Sequence, residues 1–212
     1  MLGDIVNIFI ERADWFLSLL LKHIALAGTA IILAGSIGLV LGIVINQHKK
    51  LAQFVLGLAN MLYTIPDIAM FGMLIPFTGI GEKTALIALT VYALMPMIRN
   101  TYTGLNNVDS TILEAAIGMG STRWQVLWKV QLPLAFSVIL AGLRSMVVMT
   151  ISVAGIASYI GAGGLGTPIY RGISTNNSAL IFAGSISIAV LAIFADLLFG
   201  LLEKHVQNKW KL

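Results

Sequence analysis

The apolar positions of this chain fall in long runs, not in the alternation of strands or the single stripe of a water-facing helix. Residues 24–47, 145–170 and 172–195 contain no Asp, Glu, Lys or Arg. About 20 apolar residues at 1.5 Å rise cross the ~30 Å hydrocarbon core of a bilayer, so each run is long enough to span. The pattern predicts an all-α polytopic fold with about five transmembrane helices, near 23–46, 52–76, 84–104, 133–157 and 179–202. They form one transmembrane domain over residues 1–212. Pro66 and Pro76 lie in the second span and predict a kink or break near its outer end. The third span offers only residues 84–98 before Arg99, which is placed to snorkel to the interface.

Composition strengthens this picture. Hydrophobic residues make up 58% of the chain and charged residues 10%, with a mean hydropathy of +0.93. Soluble domains carry roughly 25% charged residues, so this chain lacks the polar surface to sit in water. Asp4, Glu11 and Asp14 stand where a secretory leader would be basic, so no cleaved leader is expected. The net charge of +4 reports topology and points to membrane lipid, with no nucleic-acid partner. Placing the N-terminus outside leaves Lys49, Lys50, Arg99, Arg123, Lys129, Lys204, Lys209 and Lys211 in the cytoplasm. Only Arg12, Lys22, Lys83 and Arg171 then face out. The positive-inside bias thus predicts an N-out, C-in protein of a bacterial inner membrane.

Several residue sets carry candidate roles. Ala30, Ala34, Gly38 and Gly42 form a small-residue ridge on the first span, suited to close helix packing within the chain or, as the alternative, to a subunit contact. Asp67, Arg144 and Asp196 fall at membrane depth, where ionisable groups are costly and point to function. Arg144 is placed to pair with Asp67 at a gate; the alternative is that Arg144 and Asp196 snorkel inward or pair across helices. Tyr63, Tyr92, Tyr102 and Tyr159 suit an interfacial belt better than an aromatic cage. Gly161–Gly166, including Gly163 and Gly164, reads as a re-entrant or gating loop, or as a flexible external turn.

Catalytic chemistry has little to stand on. His23, His48 and His205 flank spans, and neither His-Glu-x-x-His nor Gly-x-Ser-x-Gly occurs. The lack of cysteine removes disulfides and thiolate metal sites. Gly81-Glu82-Lys83-Thr84 lacks the order and glycine spacing of a phosphate loop and reads as an external turn.

The polar segment 105–132 between the third and fourth spans is the most patterned part of the chain. Thr111-Ile-Leu-Glu114 and Thr122-Arg-Trp-Gln125 each fit a capping box, predicting two short helices separated by Gly118–Ser121. In the second, Trp124, Leu127 and Trp128 share a face suited to the membrane surface before Pro133 opens the next span. In the first, Glu114-Ala115-Ala116 sets one carboxylate beside two small side chains that let a partner approach closely.

The extended pattern is Glu114-Ala115-Ala116, three residues, Gly120, nine residues, Val130, one residue, Leu132-Pro133. It resembles the signature loop of ATP-binding-cassette importer permeases, with valine in place of isoleucine as the one departure. Thr64-Ile65-Pro66, Ile98–Gly104, Ala141-Gly142-Leu143-Arg144 and Ser158–Gly166 resemble the osmoprotectant branch, permeases for glycine betaine, carnitine and choline. Asp67 departs from the small polar residue expected after Thr-x-Pro in that branch, a difference that bears either on substrate or merely on local helix capping. The resemblance implies a transport subunit, not an enzyme, with Glu114 on a coupling helix seated in an ATPase. It implies a cytoplasmic ATPase dimer that binds the ATP and magnesium, a second permease copy or a related permease, and an extracytoplasmic substrate-binding protein. This chain itself would hold no cofactor. A permease of the same class for a methionine-like or other small solute is the alternative, and a secondary carrier without an ATPase the more distant one.

Overall fold

A computed structural model describes residues 2–210, as side chains to residue 205; Lys211 and the side chain of Lys209 lie outside the described residues. The described chain is helical, without strands: α1 (Leu2–Glu11), α2 (Ala13–Asn46), α3 (Lys49–Tyr63), α4 (Asp67–Thr78), α5 (Glu82–Asn106), α6 (Ser110–Gly118), α7 (Arg123–Val126), α8 (Leu132–Ala154), α9 (Thr167–Ser174) and α10 (Ser178–Trp210). A π-helical turn over Leu127–Gln131 joins α7 to α8, and a 3₁₀ turn over Ile156–Ile160 follows α8.

Among the described residues three helices are long and apolar enough to cross a membrane: Ala13–Asn46, the continuous Arg123–Ile160 segment, and Ser178–His205. The pair α3 and α4 makes a fourth pass if taken as one span, but it is bent by 98°. The break falls at Thr64–Pro66, well before Pro76, which sits inside α4. Pro66 has no N–H to continue α3, and its preceding residue is driven out of helical geometry. The region expected as the third span is α5, a 25-residue helix. It lies between α2 and α8, so little of it needs to face lipid. Ala85, Ala88, Leu89, Tyr92, Ala93, Met97, Ile98, Thr101 and Leu105 are all buried along it. The first span begins ten residues earlier than expected, and α1 precedes it, with Leu2, Val6 and Ile10 exposed on one face.

Helices α2 and α8 flank α5, and small residues set the distance. Ala30, Ala34, Gly38 and Gly42 are buried. A Cβ at Gly38 would lie 2.8 Å from the Met97 Cβ, and one at Gly42 would lie 2.5 Å from the Thr101 Cβ. The ridge therefore serves packing within the chain. On α8, Ala135, Ile139, Gly142, Met146 and Thr150 form the matching seam, and a Cβ at Gly142 would collide with the Asn100 side chain. Helix α10 exposes Phe182, Ile186, Val190, Ile193, Phe194, Leu197 and Leu201. That unbroken apolar surface is the one a helix shows to lipid.

Gly42→Val should overpack the α2–α5 seam, where such insertions cost about 1–3 kcal/mol. The expected result is a lower midpoint for thermal unfolding in detergent and less folded protein in the membrane. The same change at Gly57, which has open space around it, should leave both measurements close to the parent.

Candidate functional site

Two regions gather the candidate residues. The first is the 105–132 segment. Helix α6 starts at Ser110 and is capped by Asp109, whose Oδ1 accepts from the Thr111 N–H at 2.8 Å. The box expected between Thr111 and Glu114 is not formed, because the preceding aspartate reaches the orphan amide first and puts Thr111 inside the helix. That backbone hydrogen bond holds the Asp109 carboxyl below its ordinary value of 3.8. A carboxyl lowered by folding stabilises above its unfolded pKa, so the cap is intact at neutral pH and is lost as pH falls through the lowered value.

At its far end α6 closes in a Schellman motif. Ser121 N–H donates to Ala116 O at 3.1 Å, Gly120 N–H donates to Ile117 O at 2.9 Å, and Gly120 has φ +86°. A side chain at that position would strain the left-handed turn, which is why the pattern requires glycine there. Glu114 and Ala115 are exposed, and Ile112, Ile117 and Met119 stand exposed around them. Ala116 instead faces inward and is 5% exposed, so only part of the Glu-Ala-Ala triplet belongs to the outer surface.

The second capping box forms as expected: Gln125 N–H donates to Thr122 Oγ1, and Thr122 N–H donates to Gln125 Oε1. The helix it starts is not a separate surface element. It runs through the π turn into α8, with the Leu132 N–H bonded five residues back to Leu127 O. The wider turn absorbs Pro133, which has no N–H for an ordinary i−4 bond, so the proline sits inside the continuous helix. Val130, Leu132 and Pro133 are half-buried in this joint. Trp124 and Trp128 remain exposed beside it.

The second region surrounds the α3–α4 break. Tyr92, buried on α5, donates its hydroxyl to the Ile65 carbonyl and lies close to the Asp67 carboxylate. The Tyr63 and Tyr92 rings meet edge to face at 6.3 Å, and the Tyr63 hydroxyl donates to Met149 Sδ at 3.3 Å on α8. Arg99 ties α5 to α3 through Asn60 Oδ1 at 3.0 Å. Tyr92 is thus a core residue, not part of an interfacial belt.

Arg144 does not pair with Asp67. Its guanidinium grips Asp196 with two bonds, Nε–Oδ1 at 2.6 Å and Nη2–Oδ2 at 2.7 Å, and reaches Glu203 Oε2 at 3.3 Å. Asp196 and Glu203 lie two turns apart on α10, so both face α8. Gly200 between them makes room: a Cβ there would lie 3.2 Å from the guanidinium carbon. The planar fork suits this bidentate contact as a lysine would not. The cluster borders an open cleft of about 450 Å³ with Ala141, Ser145, Val148 and Met149.

The glycine-rich stretch is packed against α2. The buried His23 accepts from the Leu165 N–H at Nδ1 (3.2 Å), leaving Nε2–H to donate to the Ile151 carbonyl at 3.0 Å. Gly163 and Gly164 have φ +79° and +83°. A Cβ at Gly164 would lie 2.9 Å from His23 Nδ1, and one at Gly163 3.0 Å from Lys22 Cε. One imidazole therefore pins this loop to α2 and α8. Periodicity placed His23 only at a span edge, since its two partners come from 128 and 142 residues away.

Comparison with known proteins gives a consistent result. Residues 34–208 match the family described as binding-protein-dependent transport system inner membrane component. A carnitine transport permease of Listeria monocytogenes is 41% identical over 99% of this chain and 96% of its own length. An osmoprotectant import permease of Salmonella typhimurium is 42% identical over 94% and 95%. A choline transport permease of Bacillus subtilis is 38% identical over 96% and 91%. An inward-facing methionine ABC transporter structure aligns with a TM-score of 0.84 over 92% of this chain and 98% of that one, at 23% identity, a likeness of fold.

Arg144→Gln should leave Asp196 and Glu203 facing an uncharged partner and lower the thermal midpoint in detergent. Exchanging the pair, Arg144→Asp with Asp196→Arg, should recover part of the loss. Exchanging Asp67→Arg with Arg144→Asp should recover none.

Proposed function

This chain belongs to the binding-protein-dependent transport system inner membrane component family, and on that premise we propose that it carries quaternary-ammonium osmoprotectants such as glycine betaine, carnitine or choline. It is the membrane permease subunit of an ABC importer of the bacterial inner membrane; ATP hydrolysis belongs to a partner subunit, and a substrate-binding protein supplies the solute. The similarity of about 40% to carnitine, choline and osmoprotectant permeases, sustained over nearly the whole chain, carries the substrate reading.

Two permeases, either two copies of this chain or this chain and a relative, enclose the path. Each has five passes with the N-terminus outside, and each seats α6 in one ATPase, which binds ATP and magnesium. The exposed Glu114 within an apolar collar of Ile112, Ile117 and Met119 is the kind of surface that a partner's groove covers. Ala115 and Gly120 shape that contact, while Ala116, Val130, Leu132 and Pro133 join it rigidly to α8. Closure of the ATPases then rocks α8 as a body. Asp67 lies beside the path at the helix break, Arg144 holds α8 to α10, and Gly163 and Gly164 belong to the outer closure.

Glu114→Lys should reduce uptake of radiolabelled glycine betaine, choline and carnitine by at least about tenfold, the scale on which a buried interface charge acts. The protein should still insert, and it should co-purify less ATPase. Normal uptake together with normal ATPase recovery would remove α6 from the coupling role.

A further inference from the structure

Asp67 is an ionisable group at the depth of the α3–α4 break, and Arg144, the one basic residue expected to face it, is spent on Asp196 and Glu203. Among the described residues no cation forms an ion pair with Asp67. The N-terminus of α4 offsets part of this charge, but a carboxylate that meets no cation is still costly inside a membrane protein, and such groups mark substrate and ion pathways. Irregular backbone at this depth is likewise tolerated only where protein or a water-lined cavity takes up its polar groups, and broken helices in transporters frame their substrates.

The surroundings define the kind of charge. Tyr63 is 46% exposed, so its ring still offers a face, with the Tyr92 ring edge-on to it at 6.3 Å. The Tyr63 hydroxyl is turned away toward Met149 and the Tyr92 hydroxyl toward Ile65 and Asp67. One exposed aromatic ring and a carboxylate, with no cationic group paired to either among the described residues, suit a bulky cation that cannot donate hydrogen bonds. They suit a small hydrated cation poorly, since that would demand more oxygen ligands.

We propose that Asp67, with the exposed ring of Tyr63 held from behind by the buried Tyr92, forms a transit site in the conduit for a quaternary ammonium group, and that the passing cargo supplies the countercharge Asp67 lacks. The proposal rests on the substrate reading above and deepens it. It also ranks the cargo: a cation such as choline gains the full attraction of Asp67, whereas the carboxylate of a zwitterion such as glycine betaine is repelled by it. This chain carries aspartate directly after Thr64-Ile65-Pro66, so the discrimination lies partly in the permease itself.

The test uses the complete transporter (permease, ATPase and binding protein) in proteoliposomes, with radiolabelled choline and glycine betaine at saturating binding protein. Asp67→Asn should lower the maximal choline rate about tenfold relative to the glycine betaine rate, the scale of a partly desolvated cation contact. The half-saturating concentrations, set by the binding protein, should not move. Asp67→Glu should keep the parental ratio, and Tyr63→Leu should shift the ratio in the same sense as Asp67→Asn by a smaller factor. An unchanged ratio in Asp67→Asn, including equal loss of both solutes, would overturn the transit site. An unmodified transporter that carries neither solute would overturn the substrate reading itself, before any variant is compared.

Discussion

The rest of this structure depends on how closely α2 and α8 approach α5. In lipid there is no hydrophobic gain from bringing two apolar helices together, so association relies on packing and on satisfied polar groups. Glycine and alanine on α2 let the backbone meet Met97 and Thr101 directly, and Gly142 on α8 does the same for Asn100. With both neighbours this close, α5 is shielded enough to hold Tyr92, Thr84 and Thr101 at membrane depth. The polar break between α3 and α4 is in turn tolerable because it leans on Tyr92.

Polar groups within the bundle then divide into two kinds. Some are locked: the Arg144 fork on Asp196, and His23 bridging the Ile151 carbonyl and the Leu165 amide. Each joins elements far apart in the chain and helps the spans move as one body. Asp67 is of the other kind, at the start of α4 and without an opposite charge among the described residues. A conduit needs both, because rocking requires stiff units while passage requires groups whose partners come and go.

The 105–132 connection shows the same division between surface and joint. The Schellman turn at Gly120 and the capping box at Thr122 fix the angle between α6 and the helix that becomes α8. The π turn then carries the helix across Pro133 without a hinge. Few soft torsions therefore separate α6 from the helix that lines the Arg144 cleft.

Membrane residence, helical class and the positions of the long passes were legible in the sequence, because charge-free runs and a bilayer's thickness leave few alternatives. The 114–133 pattern was legible as well, since capping and turn chemistry act between residues only a few positions apart. What periodicity missed was long-range or competitive. Asp109 displaced Thr111 as the cap because two acceptors competed for one amide. Arg144 chose Asp196 over Asp67 because α10, and not the broken helix, lies alongside α8 at that level. The glycine-rich loop is packed against the first long helix because His23 accepts from the Leu165 amide. Local sequence determines which helices form, how they end and which faces are apolar. Only the tertiary structure decides which charge meets which, since that depends on distances between helices that no single stretch of chain contains.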